Sequence, residues 1–116
     1  MRVNIKHMTF REYQLKMKET AIYPDQGNNF IYPALGMMGE AGEVAEKIKK
    51  IWRDHNKKVS PEDKEEIKKE IGDVLWYLSQ LAEELGINFD EVAQTNVDKI
   101  YSRRDRGRLG GHGDNR

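Results

Sequence analysis

The chain has 116 residues, 37% of them hydrophobic and 34% charged, and its twenty basic and twenty acidic side chains cancel. That length suits one domain, and the cancelled charge excludes a global field favouring nucleic acid or a membrane surface. Without cysteine there are no disulfides or thiolate metal sites, and with no long apolar run or secretory leader at MRVNIKHMTF a cytoplasmic protein is expected.

In chain order, TFREYQLKMKETAIY opens with Thr9 and Glu12 in capping-box spacing, predicting a helix over about residues 9–22. PDQGNNF then breaks it. A second helix is predicted over about 33–53, and DHNKKVSPED is a turn ending in Ser60-Pro61, a strong helix start. The third helix, about 61–85, stops at Gly86, and the fourth, about 89–104, starts at Asn88 with Glu91 three residues on. The last twelve residues, DRGRLGGHGDNR, carry four glycines and form a tail over 105–116. No stretch alternates with period two, so the prediction is one all-α, four-helix, bundle-like domain over 1–116.

The second and third helices share a pattern. Met37, Met38, Ala41, Val44, Ala45, Ile48 and Trp52 make one apolar stripe, and Ile67, Ile71, Val74, Leu75, Leu78, Leu81 and Leu85 make another. Glu40 and Glu43 flank Ala41 at −1 and +2, as Glu70 and Asp73 flank Ile71. Any one such pair is ordinarily a solvated helix face. Two matched pairs converge if the helices pack antiparallel. At about 6 Å and an effective dielectric near 20, each like-charge pair costs about 3 kcal/mol. Summed over six pairs, the cost rivals the ~5–15 kcal/mol stability of a small domain. Such a cluster takes up protons or a cation, and all-oxygen donors favour Mg²⁺, with Mn²⁺ as substitute. Glu46 lies about 120° from the face of Glu40 and is expected in solvent.

Other metal sites fail on residues. The Glu-x-x-His of a di-iron bundle is missing, since Asn4, Trp52 and Leu109 stand three before His7, His55 and His112. An EF-hand beginning at Asp54 would place Val59 where glycine is needed. Lys99, Arg103, Arg104, Arg106, Arg108 and Arg116 crowd the last eighteen residues. They read either as a solvated basic tail or as cations for phosphate.

The segments GEAGEVAEKIKK, KEIGDVLWYLSQLAEELGI and NVDKIYSRRDRGRLGGHGDNR closely resemble the MazG-like nucleotide pyrophosphohydrolases of the all-α NTP pyrophosphatase superfamily, over about residues 9–116. The family's metal motif, Glu-Glu-x-x-Glu then Glu-x-x-Asp, maps onto Glu40, Glu43, Glu70 and Asp73, with Gly39 replacing the first glutamate. The tail resembles that of a small stand-alone bacterial and phage branch. Lys99 and Arg103 match the phosphate-binding cations of the last helix, Asn96 a polar position one turn earlier, and Asn115 and Arg116 the branch's ending.

The resemblance implies Mg²⁺-dependent hydrolysis of a nucleoside triphosphate to monophosphate and pyrophosphate. Glu43 is the candidate to activate water, though any of the four carboxylates could do so on sequence grounds. Base recognition falls to the first helix and the following loop, through Gln14, Asn28 and Tyr32; packing is an equal reading of Tyr32. Rival readings are a non-catalytic nucleotide or nucleic-acid binder, a structural helical oligomer, and phosphoribosyl-ATP hydrolysis. A homodimer or homotetramer is expected, with no membrane or specific nucleic-acid partner. Trp76, about 140° from its helix's stripe, is the residue expected to form the second packing surface.

Overall fold

The computed structural model describes residues 7–114, and Asn115 and Arg116 lie outside the described residues. Four helices follow in order: α1 (Phe10–Lys18), α2 (Ile31–Asp54), α3 (Pro61–Glu84) and α4 (Phe89–Asp105). No strand occurs among the described residues, so the fold is all-α as expected.

Local chemistry sets most of the ends. The Ser60 hydroxyl accepts from the Asp63 amide at 3.0 Å, and Asp63 Oδ2 accepts from the Ser60 amide at 3.0 Å. This is a complete capping box, ahead of Pro61 in the first turn. At the far end, Gly86 takes φ 68° and the Ile87 amide donates back to the Ala82 carbonyl at 2.8 Å. A side chain would strain that position. Gly107 ends α4 the same way, at φ 67°, with the Arg108 amide donating to the Arg103 carbonyl at 2.6 Å. The N-cap of α4 is Asn88, whose side chain accepts from the Asp90 amide, not from Glu91.

α1 is shorter than its apolar pattern predicts, ending at Lys18. Thr20 donates to the Met17 carbonyl at 2.7 Å and accepts the indole N–H of Trp76 at 2.8 Å, which turns the chain. Ile22 is therefore exposed rather than part of a helical stripe.

α2 and α3 form an antiparallel hairpin, and among the described residues α2 packs on no other helix. α1 and α4 pack on the other sides of α3 and on each other. The α3-facing side of α2 carries Pro33, Gly36, Glu40, Lys47 and Ile51. This face lies about 100° round the helix from Ala41. The expected α2 stripe is thus only partly used: Met38 is 67% exposed and Trp52 62%, with Ile31, Leu35 and Ile48 beside them. Gly36 permits close approach, because a Cβ there would collide with the Tyr77 ring.

Polar clamps do much of the docking of α1. Gln14, 1% exposed, donates to the Ile87 carbonyl at 2.8 Å, and its Oε1 accepts from the Phe89 amide at 3.0 Å and Arg11 Nη1 at 2.7 Å. Buried Gln80 donates to the Met17 carbonyl at 2.8 Å. Asp90 of α4 accepts from the Arg11 amide at 2.9 Å, capping the start of α1 from another helix. Phe10 meets Phe89 edge-on at 5.2 Å between ring centroids.

Gln14→Ala leaves the Phe89 amide and the Ile87 carbonyl without their partner, so a loss of about 3 kcal/mol is expected in urea unfolding at unchanged m-value. Glu12→Ala, on the exposed side of the same helix, is expected within about 0.5 kcal/mol of the parent.

Candidate active site

Glu40 of α2 and Glu70 and Asp73 of α3 meet across the hairpin seam. One carboxylate oxygen from each lies within 4.8 Å of the other two. Helical spacing explains the meeting: Glu70 and Asp73 are one turn apart on one face, and the antiparallel partner presents Glu40 opposite them. Glu40 and Glu70 are half-buried and Asp73 is exposed. Burial, and then the charges of Asp73, Glu70 and Glu43, push the Glu40 carboxyl above the usual carboxylate range.

Glu43, expected as a fourth ligand, is exposed and stands outside this tight group, though close enough to bear on Glu40. Lys47 at the rim donates to Glu66 at 3.0 Å. Glu46 is exposed and paired with Lys49 at 3.1 Å, on the surface as its angle suggested. Three hard oxygen donors from rigid helices, with one carboxylate destabilised in its charged form, fit a small divalent cation.

Beside the acids, Glu40, Asp73, Trp76 and Tyr77 line an open pocket of about 330 Å³. Trp76 does not form a free outer surface. Its indole donates to Thr20, and its ring meets Tyr23 and Tyr77 edge-on at 6.4 and 5.0 Å. The chain's own α1 end covers the face that the wheel alone left open. Tyr32 stacks on Tyr23 at 4.7 Å and 12° and lies 6.3 Å from Tyr77. Sequence reasoning missed Tyr77 as a site residue, although its place four residues after Asp73 puts it one turn along the acid face.

The other expected contacts fall elsewhere. Gln14 is interior, its amide engaged within the fold as described above, which separates it from any base-binding surface. Asn28 is exposed in the α1–α2 loop. Asn96 and Lys99 line a different cavity, of about 410 Å³, with Ile87, Glu91, Val92 and Thr95. Lys99 Nζ and Arg103 Nη2 each donate to Asp114 Oδ1 at 3.1 Å, and Arg103 also donates to the Gly113 carbonyl. Arg103 is only 3% exposed. Its hydrogen bonds hold the tail, and the pair keeps the Asp114 carboxyl below its usual range. Arg116 lies outside the described residues. No described helix is long and apolar enough to cross a membrane.

The family model for the MazG nucleotide pyrophosphohydrolase domain matches residues 32–107, a span that contains Glu40, Glu43, Glu70 and Asp73. Gene 37 protein of Mycobacterium phage L5 is 43% identical over 109 residues, covering 90% of this chain and 96% of the phage protein. No solved structure matches.

Millimolar Mg²⁺ is expected to raise the melting temperature by offsetting the crowded charge. In Glu40→Gln and Asp73→Asn that Mg²⁺-induced shift should disappear while the metal-free melting temperature holds or rises, as read by differential scanning fluorimetry.

Proposed function

The chain belongs to the MazG nucleotide pyrophosphohydrolase family, and we propose that it hydrolyses nucleoside or deoxynucleoside triphosphates to the monophosphate and pyrophosphate, with Mg²⁺ as cofactor. The observation that carries this reading is the convergence of Glu40, Glu70 and Asp73 from two helices inside the family-matched segment. Those three carboxylates would hold the ion, with Glu43 joining from the adjacent turn. Bound there, Mg²⁺ would neutralise phosphate oxygens and make a coordinated water more acidic.

Glu43, exposed beside the cluster, is the proposed base. It takes a proton from the attacking water as the new bond forms at the α-phosphorus and the bridging bond to the β-phosphate breaks. Pyrophosphate then leaves. Holding substrate and water in line on rigid helices supplies orientation, and the open pocket against Tyr77 gives the nucleoside a place beside the acids.

The cations of α4 do not line the acid pocket of the same chain. We therefore place Lys99 against the phosphates of a site completed by a second copy, whereas buried Arg103 holds the tail beside it and is not proposed as a phosphate contact. Support comes from the apolar face of α2 that stays exposed among the described residues, where Ile31, Leu35 and Met38 make one patch and Ile48 and Trp52 another farther along the same side. A homodimer or homotetramer would cover it. This face replaces Trp76 as the motivation for an oligomer.

The deciding experiment is pyrophosphate release from all common NTPs and dNTPs with Mg²⁺; no release from any would leave the non-catalytic binder as the better reading. Glu40→Gln, Glu43→Gln, Glu70→Gln and Asp73→Asn are each expected to lower kcat by about 100-fold or more, with Glu46→Gln near the parent. Lys99→Ala should lower kcat/KM by about tenfold without a matching change in stability. Met38→Glu is expected to shift light-scattering mass towards the monomer and to reduce activity with it.

A further inference from the structure

We propose that Glu84 is a positioning residue for the base end of the nucleotide, acting from the last turn of α3 on the α1–α2 loop. The proposal rests on the pyrophosphohydrolase reading and extends it to a residue outside the metal site.

The loop over 24–30 has little regular structure of its own. Asp25 takes φ 54°, which aspartate tolerates, and Gly27 φ 99°, which glycine adopts freely, so what fixes the loop in one shape comes from outside it. The fixing group is one carboxylate. Glu84 Oε1 accepts from the Tyr23 hydroxyl at 2.5 Å and the Gly27 amide at 2.8 Å, and Oε2 accepts from the Asn29 amide at 3.0 Å. Burial pushes the Glu84 carboxyl upward, but the three hydrogen bonds together outweigh it and hold the group below its usual range. An ionised acceptor makes each of these bonds stronger than a neutral one would be.

Two separate routes then lead from Glu84 to one ring. Along the backbone, Asn29 is held by Glu84, and its side chain accepts from the Tyr32 amide at 3.1 Å while donating to the Pro24 carbonyl at 2.8 Å. Through the side chains, Tyr23 is held by its hydroxyl, and its ring stacks on Tyr32. Tyr32 stays 41% exposed although its stacking partner is buried. It stands next to Tyr77, which lines the acid pocket. A flat aromatic face held from two directions beside an anionic centre suits a nucleobase whose phosphates reach the metal. Glu84 touches neither end of that ligand; it sets where the ring stands.

The test is steady-state kinetics of the full chain across the four NTPs and four dNTPs. Glu84→Gln keeps the shape but removes the charge. It is expected to raise KM by about tenfold with a smaller loss in kcat, and to narrow the kcat/KM spread between best and worst base by a similar factor. Tyr23→Phe keeps the stack and loses only the hydroxyl, so it should move KM in the same direction by about threefold. If circular dichroism shows Glu84→Gln to be misfolded, Tyr23→Phe decides alone. Unchanged KM and base preference at a lower melting temperature, or an equal loss of kcat for every base, would assign Glu84 to stability only and overturn the inference. A parent enzyme inert towards every nucleotide would instead overturn the pyrophosphohydrolase reading, and this inference with it.

Discussion

The seam between α2 and α3 carries opposing demands. Pro33, Gly36 and Ile51 bring the helices together, and the same approach presses three carboxylates into one small volume. At about 5 Å and an effective dielectric near 20, each pair of like charges costs ~3 kcal/mol. The hairpin tolerates this because it is pinned at both ends. At one end Ser60 and Asp63 close their capping box, and His55 Nδ1 lies 3.2 Å from Asp63 Oδ2. At the other, Glu84 gathers the loop that starts α2. The repulsion sits between the two pins, where a bound cation would relieve it. Strain held at a functional site and offset elsewhere in the fold is a familiar arrangement.

What could be read in the sequence was what local spacing decides. Ser60-Pro61 and Gly86 mark ends because a cap depends on residues within one turn, and the structure uses both. The acids were visible for the same reason: Glu70 and Asp73 share a face whatever surrounds them, and antiparallel packing is the simplest consequence of a short connection. Gln14 was not legible. Its partners lie 73 and 75 residues away, so the spacing alone offers a polar residue on a short helix as a base contact. Trp76 failed in a related way, since a wheel angle names a face without naming the neighbour that covers it. Thr20, 56 residues earlier, covers it here. Glu84 was unremarkable as a glutamate near a helix end until three distant donors converged on it.

The α2 stripe is apolar as its spacing predicts, but much of it stays outside the α2–α3 seam. Among the described residues α2 has one helical neighbour, and that neighbour covers only one side of the stripe. The radius of gyration, 16.9 Å, exceeds the ~13 Å expected of a compact chain of this length. Both facts follow from a hairpin that projects from the α1–α4 end with little behind it. A width of apolar surface that looks excessive for one seam is better read as two seams, one used within the chain.

The two tryptophans have a use that follows from their contrasting surroundings. Trp52 is on the open side of α2, with Lys57 Nζ 4.4 Å above its ring, whereas Trp76 is half-covered and hydrogen-bonded to Thr20 at the end of α1. Their intrinsic fluorescence therefore reports on different events. Water reaching Trp76 signals α1 lifting away from α3, and a blue shift from Trp52 signals another surface arriving on α2. Single Trp→Phe backgrounds turn the chain into its own pair of optical probes, separating local opening from association without an added label.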